Sequence, residues 1–179
     1  MNRFARSLFV AVFLLCLAQC APVQTQTTVA ASSAPAGFPA NLRWDLVPKW
    51  IQWTNANAQI SWPPKDGCSS APVPRSLAAG DMIDRFGSEG GTFFSPKGES
   101  FQSRAVPYVC NQMDYRVYRV VKPVAVKSCE AAPWFGEPGG AVQVQTADPA
   151  YKLVAGGTIE TVSYEVGGSG GAFPQCGRP

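Results

Sequence analysis

Ala141-Val142-Gln143-Val144-Gln145-Thr146 alternates apolar and amide side chains with the two-residue period of a half-buried strand. Val142 and Val144 fall on one face, and Gln143 points the other way, into a predicted cleft. The period then changes. Asp148-Pro149 reads as an N-cap and first-turn proline for a short helix that stops before Gly156-Gly157, and Thr158 to Val166 reads as a last strand. Upstream, Tyr115 to Val121 alternates well enough for a central strand, and Thr92-Phe93-Phe94 reads as another, entered through tight turns at Gly87, Gly90 and Gly91. No strand-Gly-x-Gly-x-x-Gly-helix unit and no βαβ alternation accompanies these glycines, which excludes a dinucleotide fold of the doubly wound kind. The pattern predicts a single small α+β domain, a mostly antiparallel twisted sheet with short flanking helices.

The 179 residues, 46% hydrophobic, amount to one domain of sequence. Residues 1–20 have the three-part layout of a secretory signal: Arg3 and Arg6, an apolar run from Leu8 to Ala18, then small residues near Cys20. That apolar run is too short to span a membrane. Leu17-Ala18-Gln19-Cys20 looks like a bacterial lipoprotein cleavage box, with Gln19 where a small residue is usual. Two readings stand: membrane anchoring through a lipid on Cys20, or ordinary cleavage nearby. Residues 21–40, rich in Ala, Thr, Ser, Gln and Pro, read as a flexible tether. Residues 41–67 form an aromatic lead-in with a helix predicted from Pro48 to Asn57, its tryptophans Trp44, Trp50 and Trp53 expected to pack on the domain rather than stack on a ligand. Trp62-Pro63-Pro64-Lys65-Asp66-Gly67 is a rigid loop with a glycine-assisted turn, and residues 68–179 are the folded domain. The expected location is secreted, periplasmic or at the cell surface.

With Cys16 and Cys20 set aside, Cys68, Cys110, Cys129 and Cys176 remain, an even number in a chain read as exported, so disulfides are expected in one of three pairings. At least one bridge should join Cys68 or Cys176 to the body of the domain. No pair has the close spacing of a zinc site, and no metal ligand set is predicted. The chain has no histidine, which removes Ser-His and Cys-His nucleophile pairs, imidazole metal sites and histidine-based ribonuclease chemistry together. After residue 20 there are 13 basic and 12 acidic residues, so no global field argues for nucleic acid. Between residues 85 and 127, seven basic residues face three acidic ones, a local excess suited to a compact anion such as a pyrophosphate.

Asp84-Arg85-Phe86-Gly87-Ser88-Glu89-Gly90-Gly91, then Phe93-Phe94-Ser95-Pro96, Arg104-Ala105-Val106-Pro107, Pro133-Trp134-Phe135-Gly136-Glu137-Pro138-Gly139-Gly140 and Gln143 occur in this order. The ordered set resembles the tuberculosis necrotizing toxin family of NAD glycohydrolases, over about Trp62 to Val162. The resemblance implies cleavage of the nicotinamide–ribose bond of NAD+, with NAD+ as substrate and no cofactor. It implies Arg85 and Arg104 as pyrophosphate clamps, Phe86 and Phe93 as walls of a base slot, and Gln143 as the essential glutamine. Each has a structural alternative: loop-bridging arginines, core aromatics, an exposed strand amide. Two departures stand out. Glu137 occupies a position where family members commonly carry glutamine, so that its carboxylate must pair with an arginine or repel substrate; Arg116 lies near where some members have histidine. The resemblance also leaves open a cognate inhibitor or immunity protein and a homodimer. The rival reading is a non-catalytic secreted or lipid-anchored binding module on the same scaffold.

Breaking that glycosidic bond expels a neutral pyridine from a pyridinium, so the leaving group needs no proton and a histidine-free site suffices. The reaction does need a grip on the pyrophosphate, a shaped slot for nicotinamide, and polar groups where positive charge grows on the ribose.

Overall fold

The computed structural model describes residues 41–43, 53, 60–168 and 174–177. The predicted signal, the tether and all but Trp53 of the predicted 48–57 helix lie outside the described residues.

Seven strands, β1 (Val73–Leu77), β2 (Met82–Phe86), β3 (Phe93–Pro96), β4 (Tyr115–Val120), β5 (Val124–Glu130), β6 (Val142–Thr146) and β7 (Ile159–Glu165), form a sheet in the order β1-β5-β6-β3-β2-β4-β7. Every neighbouring pair is antiparallel. The predicted α+β class is therefore the observed one. The helix α1 (Ala150–Ala155) covers part of one face.

Period-two alternation sorts the residues onto two faces. Ile83, Phe94, Tyr118, Val120, Val126, Val144 and Ile159 bury one face together with Ala150 and Leu153 of α1. On the opposite face Tyr115 and Val117 pack with Met82, Phe86 and Cys176. Gln143 sits on β6 between Val142 and the core residue Val144, so its side chain leaves the sheet on the face away from α1, as its alternation predicts.

The helix starts one residue later than predicted. Pro149, with extended backbone, occupies the N-cap position and Asp148 makes no capping bond. Main-chain carbonyls cap the helix instead: Ala150 N–H donates to Gly91 at 3.1 Å and Tyr151 N–H to Glu89 at 3.1 Å. The turn between β2 and β3 is thereby tied to the first turn of α1, which satisfies donors that the helix itself cannot.

Among the described residues one disulfide joins a loop to the sheet, Cys68 to Cys129 on β5, and a second, Cys110 to Cys176, joins two 3-10 turns. The 41–43 segment pairs with 107–109: Arg43 N–H donates to Pro107 and Val109 N–H to Asn41. Trp53 packs on Trp134 and Phe135 with ring centroids 5.1 and 5.7 Å apart, while Trp44 and Trp50 lie outside the described residues.

Candidate active site

β2 and β3 pair through only two couples, Ile83 with Pro96 and Asp84 with Ser95, while Phe93 and Phe94 pair with β6. The sheet opens beyond Asp84, and Arg85, Phe86, Phe93 and Phe94 line the opening, a cavity of about 110 Å³. It adjoins a larger cavity of about 300 Å³ walled by Trp62, Pro63, Asp66, Gly67 and Ala132. Phe93, Arg104, Val106 and Gln143 line both. The two arginines and the glutamine that the sequence singles out therefore share one cleft.

Arg85 is 8% exposed. Its Nη1 donates to the Phe93 carbonyl at 3.4 Å, its guanidinium lies 5.5 Å from the Phe94 ring centroid, and its Nε has no hydrogen-bond partner. Among the described residues no carboxylate comes within ion-pair distance of it. Burial lowers its pKa, an effect opposed by Tyr118 and by the Glu89 charge and reinforced by the Arg116 charge. Gly91 makes the burial sterically feasible, because a Cβ at that position would run into the guanidinium.

Arg104 ends a 3-10 turn (Gln102–Arg104) and is differently placed. Its Nη2 pairs with Asp84 Oδ1 at 2.5 Å and donates to the Glu99 carbonyl at 3.0 Å, while its guanidinium covers the Phe86 ring at 5.1 Å. Asp84, 0% exposed, also accepts from the Tyr115 hydroxyl at 2.7 Å and the Gly98 N–H at 3.1 Å. Burial, then the bond and charge of Asp84, hold the Tyr115 phenol far above its ordinary pKa. Of the two arginines, Arg104 is neutralised within the protein and Arg85 is not.

Phe86 packs between Phe101 and Tyr115, each ring centroid 4.8 Å away, and reaches only the smaller cavity. Phe93 is 41% exposed and lines both. Gln143 Nε2 donates to the Asp66 carbonyl at 2.9 Å. Glu137 forms an ion pair with Arg43, so its charge is taken up by the lead-in rather than by either cleft arginine. Arg116 pairs with Asp114 at 3.1 Å, donates to the Gly87 carbonyl at 2.7 Å and stacks on Tyr164, outside the lining of both cavities.

Trp62, 53% exposed at the wall of the larger cavity, and Tyr108 in the smaller one were not anticipated from sequence. A large aromatic beside two prolines is the one local signal that marks Trp62.

Residues 76–162 match the family model described as tuberculosis necrotizing toxin. The chain is 32% identical over 137 residues to the conidial surface nicotinamide adenine dinucleotide glycohydrolase of Aspergillus fumigatus, across 69% of this chain and 58% of that protein. It thus spans less than two thirds of that relative. Among solved structures it is similar to tuberculosis necrotizing toxin, a protein complexed there with its immunity factor, at a TM-score of 0.50 and 20% identity, over 60% of this chain and 65% of that one. That likeness bears on the fold. Arg85, Phe93 and Gln143 from the sheet and Arg104 from its turn thus meet in one cleft, within the residues, 76–162, that match the tuberculosis necrotizing toxin family.

Proposed function

We infer that this protein is an exported NAD+ glycohydrolase, in which water replaces nicotinamide at the ribose anomeric carbon. The products are nicotinamide, ADP-ribose and a proton, the proton coming from the attacking water. One observation carries this reading: Arg85 is a buried guanidinium with no carboxylate partner among the described residues, at the bottom of a cleft it shares with Arg104 and Gln143. A desolvated cation costs free energy unless an anion joins it, and its planar fork suits paired phosphate oxygens. The pyrophosphate is that anion. Arg104 adds the part of its guanidinium not engaged by Asp84, and Phe93 and Trp62 offer exposed rings for a base.

Gln143 then stands where positive charge grows on the ribose. With Nε2 engaged by Asp66, its Oε1 accepts from a ribose hydroxyl or from the incoming water. The larger cavity, about 300 Å³, lies at the lower end of small-molecule sites, commonly ~300–1,000 Å³. Two disulfides favour an oxidising location such as the cell surface or periplasm. An enzyme that consumes NAD+ endangers the cell making it, so a cognate inhibitor protein is the partner class this activity calls for.

The test is incubation of the oxidised protein with NAD+ and no added metal, following nicotinamide by chromatography. Release above the spontaneous rate, lost in Arg85→Ala, is expected. Absence of release at enzyme concentrations near those of the substrate would refute the reading.

A further inference from the structure

Cys129 and Gln143 are direct cross-strand partners on β5 and β6, which puts both side chains on the same face of the sheet. Cys129 bonds to Cys68, and the residues just before Cys68 are thereby held over the glutamine. Gln143 Nε2 lies 2.9 Å from the Asp66 carbonyl and 3.8 Å from each sulfur of the bridge. The disulfide is therefore part of the immediate surroundings of the one amide in both cavity linings.

The segment it secures has an unusual backbone. Lys65 and Asp66 have φ of 54° and 55°, a left-handed conformation that side-chain-bearing residues avoid, and Gly67 follows at 84°. Such a backbone persists where its surroundings hold it. The side chains of Lys65 and Asp66 are exposed and supply no packing. The turn's own bonds, Gly67 N–H to Pro64 at 3.1 Å and Cys68 N–H to Lys65 at 3.0 Å, are tied to the sheet by a short ladder, with Ala132 N–H donating to Gly67 at 2.7 Å and Ser69 N–H to Glu130 at 2.9 Å, and by the covalent link to β5.

We propose that the Cys68–Cys129 disulfide and the turn at residues 65–67 are positioning elements for Gln143, so that turnover depends on the oxidised state of this one bridge. The inference rests on the glycohydrolase reading of the cleft. With the bridge closed, the Asp66 carbonyl fixes Nε2, and the amide presents Oε1 as an acceptor of fixed direction. With it open, the turn is free to leave its left-handed conformation, the carbonyl moves, and the amide rotates. A phosphine supplies the two electrons for opening: the S–S bond breaks, two thiols form with protons from water, and the phosphine leaves as its oxide. The second bridge, Cys110–Cys176, joins two turns elsewhere, the sulfurs beside Gln143 being those of Cys68 and Cys129, and it serves as the control.

The experiment compares wild type, C68S/C129S and C110S/C176S for kcat and KM with NAD+, for melting temperature, and for the side-chain amide signal of Gln143 in protein labelled with 15N-glutamine. Loss of the first bridge should lower kcat at least about tenfold, as expected for a displaced transition-state contact, with KM within about threefold and the amide signal moved toward that of a free glutamine. C110S/C176S should melt earlier yet keep kcat within about threefold. Unchanged kcat and an unmoved amide signal in folded C68S/C129S overturn the proposal. Should C68S/C129S not fold, wild type is titrated with phosphine while thiols are counted by alkylation and mass spectrometry and folding is followed by circular dichroism. Activity lost in step with opening of Cys68–Cys129 in folded protein supports the proposal, and activity that survives that opening refutes it. If oxidised wild type releases no nicotinamide, the glycohydrolase reading falls, and the amide signal alone still tests whether the bridge positions Gln143.

Discussion

Gly91 is the residue on which Arg85 depends most directly, because the guanidinium occupies the space a side chain there would need. Gly91→Ala should push the arginine out of its site and raise the KM for NAD+ by roughly tenfold, about 1.4 kcal/mol of binding, in steady-state assays, while the sheet still forms. Gln143→Ala tests a different role. Its side chain lines a cavity and fills no core space, so stability measured by urea should shift by less than about 1 kcal/mol, while kcat falls on the order of a hundredfold and NAD+ still binds. Surviving turnover would make Gln143 an ordinary strand residue. At this scale, the sequence made Arg85, Arg104, Phe93 and Gln143 legible because each stands in a motif or a clear alternation. The Asp66 carbonyl was not legible, since its role depends on a strand register and a disulfide that bring together residues 77 positions apart. Nor was the split between the arginines, which Asp84 creates by pairing with one of them.

Among the elements, β6, β3, β7 and α1 were readable because alternation or Gly and Pro punctuation marks them. The edge strand β1 was missed for a physical reason. Four of its five residues are exposed and Pro74 interrupts it, so no apolar face shows. β2 hides differently: it buries Asp84 and Arg85 beside Ile83, and a strand that buries its charged residues looks like a surface loop in sequence. The Trp134-Phe135-Gly136 loop, which the resemblance drew toward the site, turns out to anchor the lead-in. Trp134 Nε1 donates to Ser61 at 2.9 Å, and Phe135 is buried. That loop closes through Gly139, at φ 68°, where a Cβ would lie 2.6 Å from the Ala131 carbonyl oxygen. Gly139→Ala should therefore destabilise the protein by about 1–3 kcal/mol in urea unfolding, and a neutral result would show that the loop tolerates rearrangement.

The stability of the whole molecule should be bounded on both sides of the pH scale. Burial raises the Asp114 pKa, but the Gly167 N–H, the Tyr164 hydroxyl and Arg116 outweigh it and leave the value below the ordinary 3.8. A depressed carboxylate contributes stability that is complete above about pH 4 and is lost as pH falls through the folded-state value. Tyr118 is the opposite case, pushed by burial and then by Glu89 to about 12 from 10.0. Its contribution is complete below pH 10 and is lost as pH rises from there toward 12. Melting curves across pH should show both limbs, with Asp114→Asn flattening the acid one and Tyr118→Phe reducing the alkaline one, to which the raised Tyr115 phenol also contributes. The strand order has a consequence in time. Only β2–β3 and β5–β6 are neighbours in both sequence and sheet, whereas β1 must find β5 and β4 must wait for β7. Distant pairings close slowly, on the order of milliseconds to seconds for such topologies, and the sheet cannot be completed before the residues of β7 have been synthesised. A chain threaded N-terminus first through a narrow translocation channel would thus remain unfolded until nearly all of this domain had crossed, which lets the same topology that delays folding keep the chain competent for passage.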